Sequence, residues 1–137
     1  MPSITINIMA VIAAAMAGHL LGAVWFSQKA FGKAWMEGSG QHPKPQDAHP
    51  KMGKLLAMSF LGTLVTSYIL AHFVDYVAAT DASGALSLAF WTWLGFFATS
   101  TLGSVLWDCK KSSWWLVMNG YYFVQLSIMS LILALWV

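Results

Sequence analysis

Residues 4–26 read ITINIMAVIAAAMAGHLLGAVWF and contain no lysine, arginine, aspartate or glutamate. The hydrocarbon core of a bilayer is about 30 Å thick, and a helix needs about 20 apolar residues to cross it. The run therefore predicts a transmembrane helix. Working outward, similar apolar runs occupy residues 53–77, 86–107 and 114–137. The predicted fold is an all-α membrane protein, an antiparallel four-transmembrane-helix bundle forming a single domain over residues 1–137.

Composition supports the same class. Hydrophobic residues make up 58% of the 137-residue chain and charged residues only 9%, whereas an ordinary soluble domain has about 25% charged residues. The seven lysines are scattered and there is no arginine, which excludes a nucleic-acid footprint. Cys109 is the only cysteine, so the chain has no internal disulfide and no cysteine-based metal site.

The lysines predict the orientation. Lysines occur in the long first connection, residues 27–52, at its flanks, and in the third connection. These segments all fall on one side of the membrane, whereas the second connection and both termini have no lysine. The positive-inside rule places loops one and three in the cytoplasm and both termini outside, in a bacterial inner membrane. The lysines concerned are Lys29, Lys33, Lys44, Lys51, Lys54, Lys110 and Lys111.

The first connection has two parts. Before Glu37, Lys29 and Lys33 are four residues apart, so this part either forms a short interfacial helix or prolongs the first span. After Glu37, glycines and prolines predict a polar loop without a helix. This loop also contains histidines and an aspartate, but their spacing matches no closed metal site; they are His42, Asp47 and His49.

Small residues recur at a spacing of four in three of the spans. Such ridges let helix backbones approach closely in membranes. The first-span ridge suggests either packing inside one bundle or self-association into a homo-oligomer. The candidate packing residues are Ala14, Gly18 and Gly22 in the first span and Gly95 and Gly103 in the third.

An internal repeat is a further hypothesis. Residues 22–29 align without gaps with residues 103–110, which would make the protein two tandem helical hairpins related by an axis along the membrane normal. The alternative is chance similarity between two helix ends that face the same interface.

Polar side chains within the spans are the candidates for function, because they are costly in lipid. His19 and Asn119 are predicted at similar depth from the cytoplasmic side, and hydroxyl residues fall in the same layer. They would form either a hydrogen-bond lock between helices or the lining of a wet cavity. The predicted polar cluster consists of His19, Asn119, Thr101, Ser104 and Ser59.

Four short motifs carry a resemblance to a known family. Gly22–Ser27, Phe31–Met36, Trp93–Phe96 and Asn119–Tyr122 resemble the motifs of small bacterial four-helix integral membrane proteins that are known only as a domain of unknown function. A proline commonly follows the motif serine in that family, and Gln28 takes its place here. The resemblance covers nearly the whole chain and implies no activity, catalytic residue or ligand.

Several motifs of known membrane enzymes and nucleotide-binding proteins are absent from the sequence, including HExxH, GxSxG and the P-loop. No catalytic, cofactor-binding or metal-binding residue is predicted. The favoured function is a small-solute transporter or channel, or an accessory component of the membrane, with lipid as the surrounding partner and an unknown small-molecule ligand. The alternative is a small membrane-embedded enzyme that uses His19.

Overall fold

The computed structural model describes residues 5–27, 29–39 and 51–136, and all secondary structure in these ranges is helical. The described ranges contain six α-helices, and a π-helical segment connects the fourth directly to the fifth. In chain order they are α1 (Ile8–Trp25), α2 (Gly32–Ser39), α3 (Met52–Tyr76), α4 (Ala82–Thr92), the π segment (Trp93–Ala98), α5 (Thr99–Leu106) and α6 (Ser112–Leu135).

Four helical stretches are long and apolar enough to cross a membrane: α1, α3, the continuous stretch from α4 to α5, and α6. The predicted helix-bundle class is therefore confirmed, and the chain is a multi-pass membrane protein. The third stretch begins at Ala82 rather than near Leu86, because the Asp81 carboxylate accepts a hydrogen bond from the Gly84 amide at 2.7 Å and caps the helix. Residues 4 and 137, at the ends of the predicted spans, lie outside the described residues.

Local hydrogen bonds determine where the helices begin and end. The Asn7 side chain accepts from the Ala10 amide at 3.2 Å and starts α1. At the end of α3, Ala78 has a left-handed φ of 52°, and the amides of Ala78 and Ala79 return to the carbonyls of Asp75 and Val74. This is the pairing of a Schellman motif, which turns the chain sharply toward α4.

Helix α6 is the common partner of the bundle. It packs against every other helix and the π segment, whereas α3 and α4 barely touch. Leu126 and Met129 of α6 meet Ala14, Leu70 and Ala89 in the main core cluster. The alanines bring α1 and α4 close to α6, so the centre of the bundle is filled by side chains.

The π segment interrupts the third span although the span contains no proline. Threonine hydroxyls bond back to backbone carbonyls around it: Thr92 to Leu88, and Thr99 to Gly95 at 2.8 Å. Side chains that bond into the helical ladder are a recognised cause of helix irregularity. Single-turn π segments are frequent at functional sites.

Helix α2 lies at the end of the bundle where α1 and α5 finish and α3 and α6 begin, which we call the lysine end. The expectation of no helix after Glu37 was wrong, since α2 continues to Ser39. The reason is a close approach of α2 to the start of α6, in which the carbonyl of Gly38 accepts a hydrogen bond from the Lys111 amide at 3.0 Å. Only glycine permits this approach. A β-carbon on Gly38 would lie 2.7 Å from the backbone nitrogen of Trp114. The proline-rich part of this connection, residues 40–50, lies outside the described residues and includes His42, Asp47 and His49.

The Gly38 contact gives a stability prediction. Alanine is a better helix former than glycine by about 1 kcal/mol, so helix propensity alone would favour alanine at either Gly38 or Gly62. At Gly62 a β-carbon meets nothing within 4 Å, whereas at Gly38 it meets backbone atoms that cannot yield. We expect Gly38→Ala to lower the free energy of unfolding by about 1–3 kcal/mol and Gly62→Ala to leave it unchanged or raise it. Unfolding in mixed detergent micelles measures both, and equal responses would contradict the proposed α2–α6 contact.

Candidate functional site

Helix α6 separates the predicted polar cluster into two groups. At 3.6 residues per turn, two positions apart on a helix differ by about 200°, so Asn119 and Tyr121 face opposite sides of α6. Tyr121 lines a cavity together with His19 and Ser59. Asn119 instead hydrogen-bonds Thr101 of α5. The five residues therefore do not form a single site.

The cavity beside His19 lies between α1, α3 and α6 and has a volume of about 290 Å³. The His19 ring meets Phe60 edge-on, with 5.5 Å between the ring centroids. We call it the His19 cavity, and its lining residues are His19, Gly22, Ala23, Phe26, Leu56, Ser59 and Tyr121.

Glycines on α1 make room for the polar groups of α6 at this cavity. The Tyr121 hydroxyl accepts a hydrogen bond from Gln125 Nε2 at 2.8 Å. A β-carbon on Gly22 would lie 2.9 Å from that hydroxyl, and one on Gly18 would lie 3.2 Å from Cγ of Gln125. The predicted ridge of α1 therefore packs inside the bundle, against α6.

The His19 cavity has the groups for hydrogen bonding and for proton transfer. Neutral imidazole offers one donor and one acceptor, and hydroxyls offer both. Ser59 is exposed and His19 half-buried, so the cavity opens to the surroundings of the bundle. Within the described ranges, no three histidine, cysteine, aspartate or glutamate side chains lie close enough to hold a metal ion. The lock and the wet cavity both stay predictions for His19.

On the opposite side of α6, Asn119 is almost completely buried. Its Nδ2 donates to Thr101 Oγ1 at 2.9 Å and to the Trp115 carbonyl at 3.0 Å. The Trp115 indole in turn donates to the carbonyl of Ala98, the last residue of the π segment, at 3.2 Å. These bonds fasten the π segment and α5 to the first turns of α6.

A second cavity adjoins these bonds, between α4, the π segment and α6, with a volume of about 310 Å³. Four aromatic rings contribute to its walls, and we call it the aromatic cavity. Two buried polar atoms of lining residues, Trp93 Nε1 and Asn119 Oδ1, have no hydrogen-bond partner among the described residues. The lining residues are Phe90, Trp93, Trp115, Leu116, Asn119, Gly120 and Phe123.

Sequence reasoning identified Asn119 but missed the aromatic residues of this cavity. Phe90 and Trp93 are three apart on the third span, and Trp115, Asn119 and Phe123 recur every four residues on α6. Residues three and four apart share a helix face, so this spacing was the available signal.

The remaining predicted residues are placed as follows. Ser104 is half-buried, and its carbonyl accepts from the amides of Asp108 and Lys110 at the end of α5. A β-carbon at Gly95 or at Gly103 would meet nothing within 4 Å. These two glycines therefore do not mediate the packing of the described helices, unlike Gly18 and Gly22.

A double-mutant cycle can measure the coupling energy of the hydrogen bond between Asn119 and Thr101. Hydrogen bonds between membrane helices contribute about 0.6 kcal/mol on average and up to about 1.7 kcal/mol. We expect Asn119→Leu and Thr101→Val to show a coupling energy in that range when unfolding free energies are measured in mixed micelles. Gln125→Leu with Thr101→Val is the control, because Gln125 bonds Tyr121 on the other side of α6. A control pair as strongly coupled as the test pair would mean that the effect is not this bond.

No curated protein and no solved structure matches the chain. A family model described as "Protein of unknown function (DUF1761)" matches residues 9–134, which include all four long helical stretches except their outermost residues. The resemblance to a family of unknown function is thereby confirmed, and the chain belongs to the DUF1761 family.

Proposed function

We propose that this protein is a non-catalytic accessory component of the membrane, which binds membrane-soluble molecules in cavities at the sides of its bundle. One observation supports this proposal above the others: the centre between the helices is filled, and the cavities lie at the seams between neighbouring helices. A channel or solute transporter is less well supported, because its polar path is expected near the middle of the bundle.

The filled centre consists of small and medium side chains in direct contact. Ala14, Ala89 and Met129 are fully buried. The Ser67 hydroxyl is also fully buried, and it donates to the Val11 carbonyl of α1 at 2.8 Å. The hydroxyl is thus used to join α3 to α1 and does not line an open path.

The seams between neighbouring helices, unlike the filled centre, contain open cavities. Where α3 and α4 barely touch, a cavity of about 240 Å³ lies over Leu126 of α6. Its walls are almost entirely apolar, and several of its lining side chains are exposed on the outside of the bundle, which favours occupancy by an apolar molecule from the bilayer. The lining residues are Val65, Thr66, Ile69, Leu70, Phe73, Thr92, Phe96, Phe97 and Leu126.

The His19 cavity supports a second candidate, the membrane-embedded enzyme. The observation in its favour is that an imidazole and two hydroxyls, from His19, Ser59 and Tyr121, line one cavity. Such groups transfer protons in many enzymes. The accessory role is preferred because, among the residues that the structure describes, no carboxylate lines this cavity, and acid–base sites commonly pair a histidine with one.

The proposal also includes the orientation of the chain in the membrane and its self-association into a homo-oligomer. The lysines of α2, α3 and the α5–α6 turn support a cytoplasmic lysine end in a bacterial inner membrane. A second copy of the chain would have to bind through a surface other than the α1 ridge, since Gly18 and Gly22 face α6. Self-association stays a prediction.

Cysteine labelling tests the orientation. With Cys109 replaced by serine, single cysteines at Lys33 and Asp81, both exposed, would report on opposite ends of the bundle. We expect an impermeant maleimide added to intact cells to label Asp81→Cys and to label Lys33→Cys only after the membrane is permeabilised. The reverse pattern would invert the proposed topology.

Reconstitution into liposomes tests the accessory role. We expect the release of protons, potassium ions and glycerol to match that of protein-free liposomes, because the filled centre offers no polar path. We also expect a photoreactive phenyl diazirine dissolved in the bilayer to label Phe96 and Leu116 saturably, in competition with its unreactive analogue. Leu20 and Leu61 are matched controls, since the exposed fractions of the four side chains are 65%, 64%, 63% and 60% in the order named. Protein-dependent flux, or equal labelling of all four, would contradict the proposal.

A further inference from the structure

A cavity lies at the lysine end, beside the turn between α1 and α2. Its volume is about 580 Å³, and we call it the α2 cavity. Because α1 ends here after an apolar span, the cavity lies at the level where membrane helices meet the lipid headgroups. One cationic side chain, two aromatic rings and a methionine line it together with a glycine. The lining residues are Phe26, Gly32, Lys33, Trp35 and Met36.

Backbone contacts of the turn fix the shape of this cavity. The Phe31 amide donates to the Trp25 carbonyl at 3.0 Å, and the Gly32 amide donates to the Ser27 carbonyl at 2.9 Å. A β-carbon on Gly32 would collide with the carbonyl oxygens of Phe26 and Ser27. Only glycine therefore lets α2 begin directly against the end of α1. The backbone of the lysine that follows is thereby held at the cavity.

The positive charge at this cavity is not compensated by the protein. Lys33 is exposed. Among the described residues, no carboxylate lines the cavity, and Glu37, one turn further along α2, forms no ion pair with Lys33. Lys110 differs, because its Nζ donates to the Ser39 carbonyl at 3.4 Å and lies 5.1 Å from the centre of the Trp114 ring. Lys33 is therefore available to a ligand, and the ligand that its charge favours is an anion.

The wider lysine end attracts the same kind of ligand. Within the described ranges it carries six lysines but only two carboxylates, those of Glu37 and Asp108. Lysines beside a membrane attract anionic phospholipids over about one Debye length. Anionic lipid is therefore expected to concentrate around this end of the bundle. The six lysines are Lys29, Lys33, Lys51, Lys54, Lys110 and Lys111.

The apolar walls of the α2 cavity favour a lipid over a soluble anion. The rings of Phe26 and Trp35 meet edge-on, with 5.5 Å between their centroids, and Met36 is exposed. Phe26 also lines the His19 cavity, where its ring lies 4.9 Å from that of Tyr121. A hydrophilic anion gains nothing from such walls, whereas hydrocarbon is stabilised by contact with them. The cavity therefore suits the junction between a charged headgroup and its acyl chains.

We propose that the α2 cavity binds the headgroup of an anionic phospholipid, whose phosphate pairs with Lys33 and whose upper acyl chains pack against Phe26, Trp35 and Met36. The positive-inside rule explains why lysines lie at this end, but it does not explain a cavity with aromatic walls beside one of them. The inference goes beyond the proposed function, because the α2 cavity is separate from the seam cavities and its ligand is recognised by charge.

Phosphatidylglycerol and phosphatidylcholine with identical oleoyl chains test the inference, because both have a phosphate and only phosphatidylglycerol has a net negative charge. The affinity for the first bound lipid is measured by native mass spectrometry of the whole protein, titrated with each lipid in detergent micelles. We expect phosphatidylglycerol to bind more tightly. Lys33→Gln should weaken its binding about five-fold, the effect of one lysine at a charged surface, and leave phosphatidylcholine binding unchanged. Lys33→Arg should retain the preference.

A matched lysine and two tryptophan signals assign the effect to the cavity. Lys54 is also an exposed lysine of this end but does not line the α2 cavity, so Lys54→Gln should change the affinity much less than Lys33→Gln. In ¹⁹F NMR spectra of protein labelled with 5-fluorotryptophan, the Trp35 signal should shift with phosphatidylglycerol. The Trp91 signal, from an exposed ring of α4, should not. Each signal is assigned by its loss in Trp35→Phe or Trp91→Phe.

Three outcomes would overturn the inference. Equal weakening by Lys33→Gln and Lys54→Gln would mean that the lysine end acts only as a diffuse charged surface. A Trp35 signal that does not respond while phosphatidylglycerol binds would assign the lipid to another site. Displacement of phosphatidylglycerol by millimolar glycerol 3-phosphate, which has no acyl chains, would identify a site for soluble phosphates instead. The proposed function fails separately, in the flux and photolabelling measurements.

Discussion

Two tryptophan indoles donate hydrogen bonds to backbone carbonyls of other helices, and both bonds involve α6. Trp25 Nε1 at the end of α1 donates to the Val117 carbonyl at 3.0 Å, and Trp115 of α6 donates to the Ala98 carbonyl at 3.2 Å. Lipid supplies no hydrogen-bond partner, so polar groups in the spans must find partners in the protein. Gly120 allows the first contact, because a β-carbon there would lie 3.0 Å from the Trp25 ring. The first turns of α6 are thereby fixed to α1 on one side and to the π segment on the other.

Once α6 is fixed, the remaining packing follows from small residues. Gly18 and Gly22 let α1 lie against Gln125, Met129 and Tyr121 of α6, and Gly38 lets α2 lie against its first turn. α3 is joined to α1 through the Ser67 hydroxyl and only weakly to α4. The bundle is thus tight around α6 and loose where α3 and α4 face each other. This unevenness explains why the centre is filled while a seam remains open.

The number of spans, the helical class and the family could be predicted from the sequence, because they depend on the length of apolar runs and on local motifs. The buried side of each helix could be predicted only in part: the small-residue ridge marked it on α1, whereas Gly95 and Gly103 of the third span contact no other described helix. In a membrane helix both the lipid-facing and the protein-facing sides are apolar, so the periodicity that identifies a buried face in a soluble helix is weak. The position of Asn119 around α6, on the side away from the His19 cavity, was not predictable for this reason. The π segment was also not predictable, since Trp93–Ala98 has the same apolar composition as a regular span.

The polar atoms of the spans differ in how completely they are satisfied, and this difference separates structural from functional candidates. The Ser67 hydroxyl, the Trp25 indole and Nδ2 of Asn119 each have a backbone or side-chain partner, and each joins two helices. Trp93 Nε1 and Asn119 Oδ1 have none within the described ranges, although they lie next to the best-bonded part of α6. Nδ2 of Asn119 has two partners while Oδ1 of the same side chain has none, so burying Oδ1 costs free energy. Such local free-energy costs are typical of binding sites. Together with the Ser130 hydroxyl, which is also buried and unpartnered among the described residues, Trp93 Nε1 and Asn119 Oδ1 are the polar groups whose burial the packing of the helices does not explain.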